Sequence, residues 1–375
     1  MRDSQSGQPV RLSFVMMMLT RIRLLLSPAI LSPAVWRAGM AALVLSLLSG
    51  PAGAQADPAA GGFQGYLQYL AARARAEGVR EATIATVMAG LTENPRVVAL
   101  DRAQPGAASG SAIPAFAGYR RTHVDAARIA GGRRQRQAAQ GTLGIIEQRY
   151  GVPGHIMLAI WGHESNYGSY TGDFDLARSL ATLAYEGRRR ALFTEEFIAL
   201  MKMVDRGVPR SRLVGSWAGA FGNPQFLPSV YLRVAQDGDG DGFADIWSNR
   251  TDTLASIANY FKDAGWRTGE PWGVAVDVPA GLDRKTLGTA LVSPRCPQVF
   301  ARHSRWKTMR EWRALGLAPK SGVWPGDTML ASLLEPDGQG QTAYLLTGNY
   351  RVILDYNCSN FYALSVGLLA DEISR

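Results

Sequence analysis

One carboxylate in an aromatic, apolar setting is the most reactive feature of this sequence. Glu164 stands in Ile156-Met157-Leu158-Ala159-Ile160-Trp161-Gly162-His163-Glu164-Ser165-Asn166-Tyr167-Gly168. A helix that starts at Pro153 and stops near Gly168 carries Glu164 in its last turn, beside Trp161 and one turn after Ile160. Negative charge at a helix C-terminus and desolvation by aromatic walls both favour the protonated carboxyl, which makes a glutamate a general acid near neutral pH. The plain alternative is a surface glutamate at a helix end.

Two further segments could serve such an acid. Ser216 to Tyr231 is poor in charge and rich in Gly, Trp, Phe and Pro, a composition that exposes polar groups beside apolar walls and suits sugar. Gln225 next to Phe226 offers a hydrogen bond and a stacking face; a buried inter-helix loop is the competing reading. Asp237-Gly238-Asp239-Gly240-Asp241-Gly242-Phe243-Ala244-Asp245 is sharper. Carboxylates at positions 1, 3, 5 and 9 with Gly at 6 reproduce the start of an EF-hand calcium loop, in which Asp237, Asp239, Asp241 and the Phe243 carbonyl converge on one cation. Position 12 is Ser248, so the remaining carboxylate must come from elsewhere, and Asp252 is nearest. An Asp/Gly turn without an ion is the alternative.

Other chemistries fail on spacing. His163-Glu164 opens like a zinc protease motif, but Tyr167 stands where the second histidine belongs. Gly215-Ser216-Trp217-Ala218-Gly219 puts its serine second, not third, so it is no nucleophile elbow. The sequence has no Gly-Lys pair and therefore no P-loop, and four His with two Cys leave few ligands for a transition metal.

The elements that position these residues read as mostly helical. Apolar residues at helical spacing run through Phe63, Tyr66, Leu67, Leu70 and Ala74, then through Ile84, Val87, Met88 and Leu91. Gln104 to Pro114 reads as a linker. A helix through Leu143, Ile146 and Tyr150 is broken by Gly151-Val152-Pro153 before the Glu164 helix, and further helices fit Arg190 to Val204 and Asp252 to Lys262, the latter capped by Thr251 or Asp252. After Gly265 the texture becomes β-rich. Val274 to Val278 alternates, and Thr347-Gly348-Asn349 between Tyr344–Leu346 and Tyr350–Tyr356 predicts a hairpin. A last helix is expected from Phe361 to Ile373, capped by Asn357 or Ser359.

With 375 residues, 47% apolar and 19% charged, the chain can bury a full core. Residues 1–54 read as a targeting segment: Arg37 precedes the apolar run Ala41 to Leu48, and Ala52-Gly53-Ala54 offers a signal peptidase site. Translation from Met16 or Met40 is compatible with this. Gln55 follows the cut, so no cysteine is there to take a lipid, and no uncharged apolar run reaches the roughly 18–20 residues of a spanning helix. The expected mature chain is exported to the periplasm with no integral membrane segment. Its net charge of +5 is modest, and Arg133-Arg134-Gln135-Arg136 and Arg188-Arg189-Arg190 lack the interleaved aromatics of a single-strand surface. Nucleic acid is therefore not the expected partner; an anionic envelope polymer fits as well. In an exported chain, Cys296 and Cys358 favour a disulfide over two buried thiols.

Taken together the segments resemble the membrane-bound lytic murein transglycosylase B family, in its soluble, non-lipoprotein form. The likeness rests on Tyr150-Gly151-Val152-Pro153, Ala159-Ile160-Trp161-Gly162 with Glu164, Leu180-Ala181-Thr182-Leu183-Ala184-Tyr185, Gly215-Ser216-Trp217-Ala218-Gly219-Ala220, Asp245-Ile246-Trp247, Ala258-Asn259-Tyr260-Phe261, Gly265-Trp266 and Tyr356-Asn357-Cys358-Ser359-Asn360-Phe361-Tyr362-Ala363. It covers Phe63 to the C-terminus. It implies cleavage of the β-1,4 bond between N-acetylmuramic acid and N-acetylglucosamine in peptidoglycan glycan strands, without water, leaving a 1,6-anhydro end. Glu164 would be the single acid and base. Ser216, Gln225, Tyr260, Tyr356, Asn357 and Tyr362 would line the glycan groove, with Arg189 and Arg190 near the substrate's carboxylates. His163 stands where the family carries small apolar residues, and an imidazolium there would lower the proton affinity of Glu164.

The implied fold class is mainly α (α+β), with a lysozyme-like core. Residues 55–115 form an N-terminal helical segment, 116–270 the catalytic core with the calcium loop, 271–356 a small β-rich subdomain, and 357–375 a C-terminal helix completing the groove. Two other functions are weighed against this one. A water-using muramidase would need Asp173 or Asp175 as second carboxylate. A non-catalytic glycan-binding envelope protein would need no acid at all.

Overall fold

Apolar spacing along the N-terminal segment gives helices that cannot bury their faces alone, so they lie on a larger helical body. A computed structural model of the chain describes residues 57–104, 115–288 and 296–375. The targeting segment and most of the Gln104–Pro114 linker lie outside the described residues. Helix α1 (Gly62–Ala76) buries Tyr66, Leu67, Leu70 and Ala74, and α2 (Glu81–Met88) and α3 (Pro95–Arg102) follow. Asn94 caps α3, with Pro95 at the first helical position where a missing N–H costs nothing. Next come α4 (Phe116–His123), α5 (Ala126–Ala138), α6 (Gln140–Tyr150) and α7 (Gly154–Ser165). Gly151, at φ 72°, ends α6 in the left-handed region before Pro153 allows the chain to restart.

Helix α7 is apolar on all sides, and every residue from Ile156 to Ser165 is buried. Such a helix belongs at the centre. Helices α5 and α6 pack on it, as do α11 (Arg250–Asp263) and α15 (Asn360–Ser374). Between α7 and α11 the chain forms β1 (Phe174–Asp175), α8 (Leu176–Glu186), α9 (Arg190–Asp205), β2 (Val214–Gly215) and α10 (Pro228–Val234), with β1 and β2 antiparallel. Helix α9 carries α1 and α2 on its surface and packs against α8 and α10.

The β-rich part holds β3 (Gly273–Asp277), α12 (Pro297–Phe300), β4 (Lys307–Thr308), α13 (Met309–Ala314), β5 (Ala318–Pro319), β6 (Leu330–Leu334) and β7 (Ala343–Leu346). The strands make one antiparallel sheet in the order β4-β6-β7-β3-β5. Period-2 alternation gives it two working faces. Leu334, Tyr344 and Leu346 join the main core, while Ala331, Leu333, Ala343 and Leu345 join a second core around Trp312 and Met309.

The expected hairpin after Tyr344 is wrong. Strand β7 is followed by α14 (Gly348–Tyr356), and the Thr347 side chain caps it by accepting from the Asn349 N–H at 3.2 Å. Both edges of β7 are already filled, by β6 and β3. Tyr350, Ile353 and Leu354 then recur at helical spacing toward the core. The cap of α11 also differs from the expected Thr251 or Asp252. Asn249 accepts from the amides of both residues, which leaves the Asp252 carboxylate for other bonds. Ser359 caps α15, one of the two expected positions. No helix among the described residues is long and apolar enough to cross a membrane.

Candidate active site

Glu164 lies one residue before the end of α7, and Asn166, at φ 49°, terminates the helix. Only 8% of Glu164 is exposed. Helix α15 brings Tyr362 over it, and the phenol O–H donates to Glu164 Oε1 at 2.5 Å. Burial pushes the carboxyl up to about 8, while the Tyr362 hydrogen bond, made to the charged form, pulls it partly back. Near neutral pH Glu164 therefore holds a proton. Tyr362 itself is driven well above the ordinary phenol range by burial and then by the Glu164 charge.

Two more phenols face the carboxyl. Tyr356 closes α14, is buried, and donates to the Pro224 carbonyl at 2.6 Å. Tyr119 on α4 is pushed up to about 12 by burial, with Glu164 the next cause. Its ring stacks on His123 at 3.7 Å. Sequence reasoning missed Tyr119, whose only trace is the Tyr119/His123 pair at i, i+4 just after the linker. His163 completes the wall, 5.5 Å from the Tyr362 ring and 5.9 Å from that of His123. Burial pushes its imidazole down to about 3, helped by the charge of Arg128. The residue is neutral and leaves the proton on Glu164 undisturbed.

Tyr260 on α11 donates to the Asp355 carbonyl at 2.8 Å, and its ring lies 4.6 Å from that of Tyr356 and 5.9 Å from that of Phe226. Asn357 is half-buried in the turn between α14 and α15. Gln225 lies in the loop between β2 and α10, at φ 51°, and spends its side-chain amide on the Thr171 and Gly222 carbonyls. Ser216 Oγ accepts from the Ala220 amide at 2.9 Å. This loop touches the end of α7 directly, because Ser165 Oγ donates to the Asn223 carbonyl at 2.8 Å.

The arginines stand apart from this group. Arg189 and Arg190 open α9, where Arg189 pairs with buried Asp101 of α3 and Arg190 with Asp57 at 2.8 Å. Asp175 caps α8 through the Arg178 amide and pairs with Arg210 at 2.6 Å; Asp173 is exposed. Neither aspartate contributes to the electrostatics of Glu164, which are set by burial and Tyr362.

The acidic loop runs into α11. Asp237, Asp239 and Asp252 each offer an oxygen within 4.8 Å of the others. Asp237 accepts from the amides of Gly240, Asp241 and Gly242, and fully buried Asp252 accepts from Gly238 at 2.8 Å and Asp245 at 2.7 Å. Burial, and then the charges of Asp239 and Asp237, push Asp252 up. Hard oxygen donors with unbalanced negative charge fit a divalent cation of the calcium type. The Asp241 carboxylate accepts from the Phe243 amide, and the Phe243 carbonyl from the Asp245 amide. Asp245 is turned away to Arg212 and the Ser248 hydroxyl. Near the C-terminal turn, Cys296 and Cys358 form a disulfide that joins α12 to the link between α14 and α15.

A helical body wrapped round a buried acid-bearing helix, with a small sheet alongside, defines the lysozyme-like class of glycan-cleaving folds. Within it the chain belongs to the transglycosylase SLT domain family, whose pattern matches residues 62–371. It is 33% identical over 231 residues to membrane-bound lytic murein transglycosylase B of Escherichia coli, a match of 60% of this chain and 58% of that protein. The chain thus aligns with a little over half of that relative's length. SltB3 of Pseudomonas aeruginosa, solved in complex with NAG-NAM-pentapeptide, superposes with a TM-score of 0.74 at 38% identity, over 83% of this chain and 79% of that one. SltB3 has also been solved with NAG-anhNAM-pentapeptide. The Escherichia coli lytic transglycosylase Slt35 in complex with calcium superposes at 0.65 with 28% identity, over 82% of this chain and 92% of that one.

Proposed function

We propose that this protein is a lytic transglycosylase of the periplasm that cleaves the β-1,4 bond between N-acetylmuramic acid and N-acetylglucosamine in peptidoglycan. The carrying observation is a proton-bearing Glu164 whose near neighbours among the described residues are phenols and a neutral imidazole, with no second carboxylate. Glu164 gives its proton to the departing glycosidic oxygen. The resulting carboxylate then takes the proton from the C6 hydroxyl as that oxygen bonds to C1, which closes the 1,6-anhydro ring. Glu164 ends protonated as it began, its first proton left on the departing sugar's new hydroxyl and replaced by the one from C6, and no water is consumed. Positive charge developing at C1 is met by the substrate's own N-acetyl group, and the apolar enclosure holds C6 near C1 while limiting water. Tyr362 stabilises the carboxylate between the two transfers by donating to it.

Ser216, Gln225, Tyr260, Tyr356, Asn357 and Tyr362 line the glycan groove in this reading, while Arg189 and Arg190, expected near substrate carboxylates, are paired with Asp101 and Asp57 away from the Glu164 group. The SltB3 complexes with NAG-NAM and NAG-anhNAM peptides support the substrate class and the product. Asp237, Asp239 and Asp252, with Asp241 and the Phe243 carbonyl, would hold calcium, which pins the loop and supplies no chemistry to the reaction. The calcium complex of Slt35 supports that assignment.

Purified protein incubated with murein sacculi should release muropeptides one water lighter than reducing-end products, and Glu164→Gln should lower the rate by about a hundredfold or more. Hydrated products alone would point to a hydrolase using Asp173 or Asp175. Full activity in Glu164→Gln would remove Glu164 from the chemistry.

A further inference from the structure

The backbone just after Glu164 is unusual, and nothing in the reaction as described accounts for it. Asn166 and Tyr167 sit at φ 49° and 58°. Their amides take the Gly162 and Trp161 carbonyls, an ordinary left-handed helix ending. Left-handed backbone suits asparagine, but for a bulky aromatic residue it is an outlier that persists only where its surroundings fix it. Those surroundings are a notch of three glycines. A Cβ on Gly131 would lie 2.7 Å from Tyr167 Cε2, one on Gly132 2.7 Å from its hydroxyl, and one on Gly162 2.6 Å from Cζ. Two of these glycines belong to α5 and one to α7. The Tyr167 hydroxyl donates to the Arg128 carbonyl at 2.8 Å. The Arg128 guanidinium, itself buried, donates to the Gly162 carbonyl at 3.2 Å, the Thr122 carbonyl at 3.0 Å and Asp125 at 2.8 Å. Ring and guanidinium therefore both bear on Gly162, two residues before Glu164.

We infer that Tyr167 is a positioning residue for Glu164: its ring, keyed into the Gly131/Gly132/Gly162 notch, locks the last turn of α7 so that the carboxyl stays beneath Tyr362 instead of turning to solvent. This rests on the reading of Glu164 as the acid. The proton affinity of Glu164 reports its position, because among the described residues few groups face it: Tyr119 of α4, Tyr356 of α14 and Tyr362 of α15, with neutral His163 on its own helix. Arg128 of α5 pairs with Asp125, the residue that caps that helix, behind Gly162. On α11, Tyr260 faces Tyr356, and on α6, Glu147 is bonded to the far end of α7 at the Gly154 amide.

The test is the pH profile of glycan-strand cleavage by three variants of the mature protein. Tyr167→Leu should lower kcat by about tenfold or more with KM within about twofold, and should move the alkaline limb to lower pH by at least about 1 as the carboxyl gains water. Tyr167→Phe keeps the ring and should stay within about threefold of wild type with its limb in place. Gly131→Ala presses the ring from the α5 side while favouring the helix, and should reproduce the leucine shift. A leucine variant that only loses thermal stability and keeps the wild-type limb overturns the inference. If that variant does not fold, an unmoved limb in Gly131→Ala overturns it. Glu164→Gln in the same assay separates the two ideas: activity surviving there defeats the reading of Glu164, whereas activity lost there with wild-type profiles in the Tyr167 and Gly131 variants defeats only the clamp.

Discussion

Burial and a single hydrogen bond compete at Glu164, and the competition gives signed predictions. Desolvation raises the carboxyl from 4.5 to about 8, and the Tyr362 bond opposes it. The protonated acid starts the reaction, so kcat/KM should fall as pH rises through about 8. Tyr362→Phe removes a donor to the charged form and should move that limb further up, which a pH series on soluble glycan strands would show; a downward move would contradict the arrangement. The same shift bears on folding. Because the folded state binds the proton more tightly than the unfolded chain, this stability is fully present below about 4.5 and is lost as pH rises through about 8. Glu164→Gln should therefore raise Tm at pH 8.5 and leave it nearly unchanged at pH 4, as calorimetry would record. Glu164 was legible in the sequence because packing alone would fill the end of so apolar a helix with another apolar side chain, not with a lone glutamate. Tyr119 was not, since its approach to Glu164 is made by α4 folding over α15, and no local pattern encodes that contact.

Helices whose buried face is apolar are readable, and those whose buried face is not are missed. α1, α6 and α9 carry apolar stripes at helical spacing, and α7 is apolar all round. Helix α5 buries Arg128, Gly131 and Gly132 instead, so no hydrophobic period marks it although it packs directly on α7. The Thr347-Gly348-Asn349 tripeptide has turn composition, but threonine two residues before an asparagine amide is equally a helix cap. What decides is that β7 has no free edge. The disulfide acts at this scale too. Cys296 and Cys358, 62 residues apart, fasten α12 to the short link between α14, which ends in Tyr356, and α15, which carries Tyr362. Closing a loop of that length restricts the unfolded chain, so Cys358→Ser, or reduction of the wild type, should cost about 2–4 kcal/mol in denaturant unfolding. Equal midpoints with and without reductant would show that the bond contributes nothing.

Across the molecule, the acidic loop and the acid-bearing helix are joined by a continuous hydrogen-bonded route. The Asn223 amide donates to the Ile246 carbonyl at 2.8 Å and its side chain to the Thr253 hydroxyl at 3.1 Å, which binds the loop and α11 to the segment before Gln225. The Asn223 carbonyl in turn receives Ser165 Oγ, next to Glu164. The loop itself was legible from its Asp/Gly spacing. This route was not, because Asn223 reads as an ordinary turn residue until the fold sets it between Ile246 and Ser165. The loop also holds its carboxylates under tension. Asp252 is fully buried, and Asp237 and Asp239 add their charge to it. A divalent cation would remove that repulsion, and by linkage a ligand at a hundred times its Kd stabilises the fold by about 2.7 kcal/mol. Millimolar calcium should accordingly raise Tm relative to EDTA, with magnesium less effective because the smaller ion sheds water reluctantly and demands a tighter octahedron. Asp237→Asn should abolish the increment while leaving Tm in EDTA near that of wild type, since its partners are exposed loop amides. Identical melting in calcium and EDTA for the wild-type protein would show that the loop closes on hydrogen bonds alone and that its support of the Glu164 helix needs no ion.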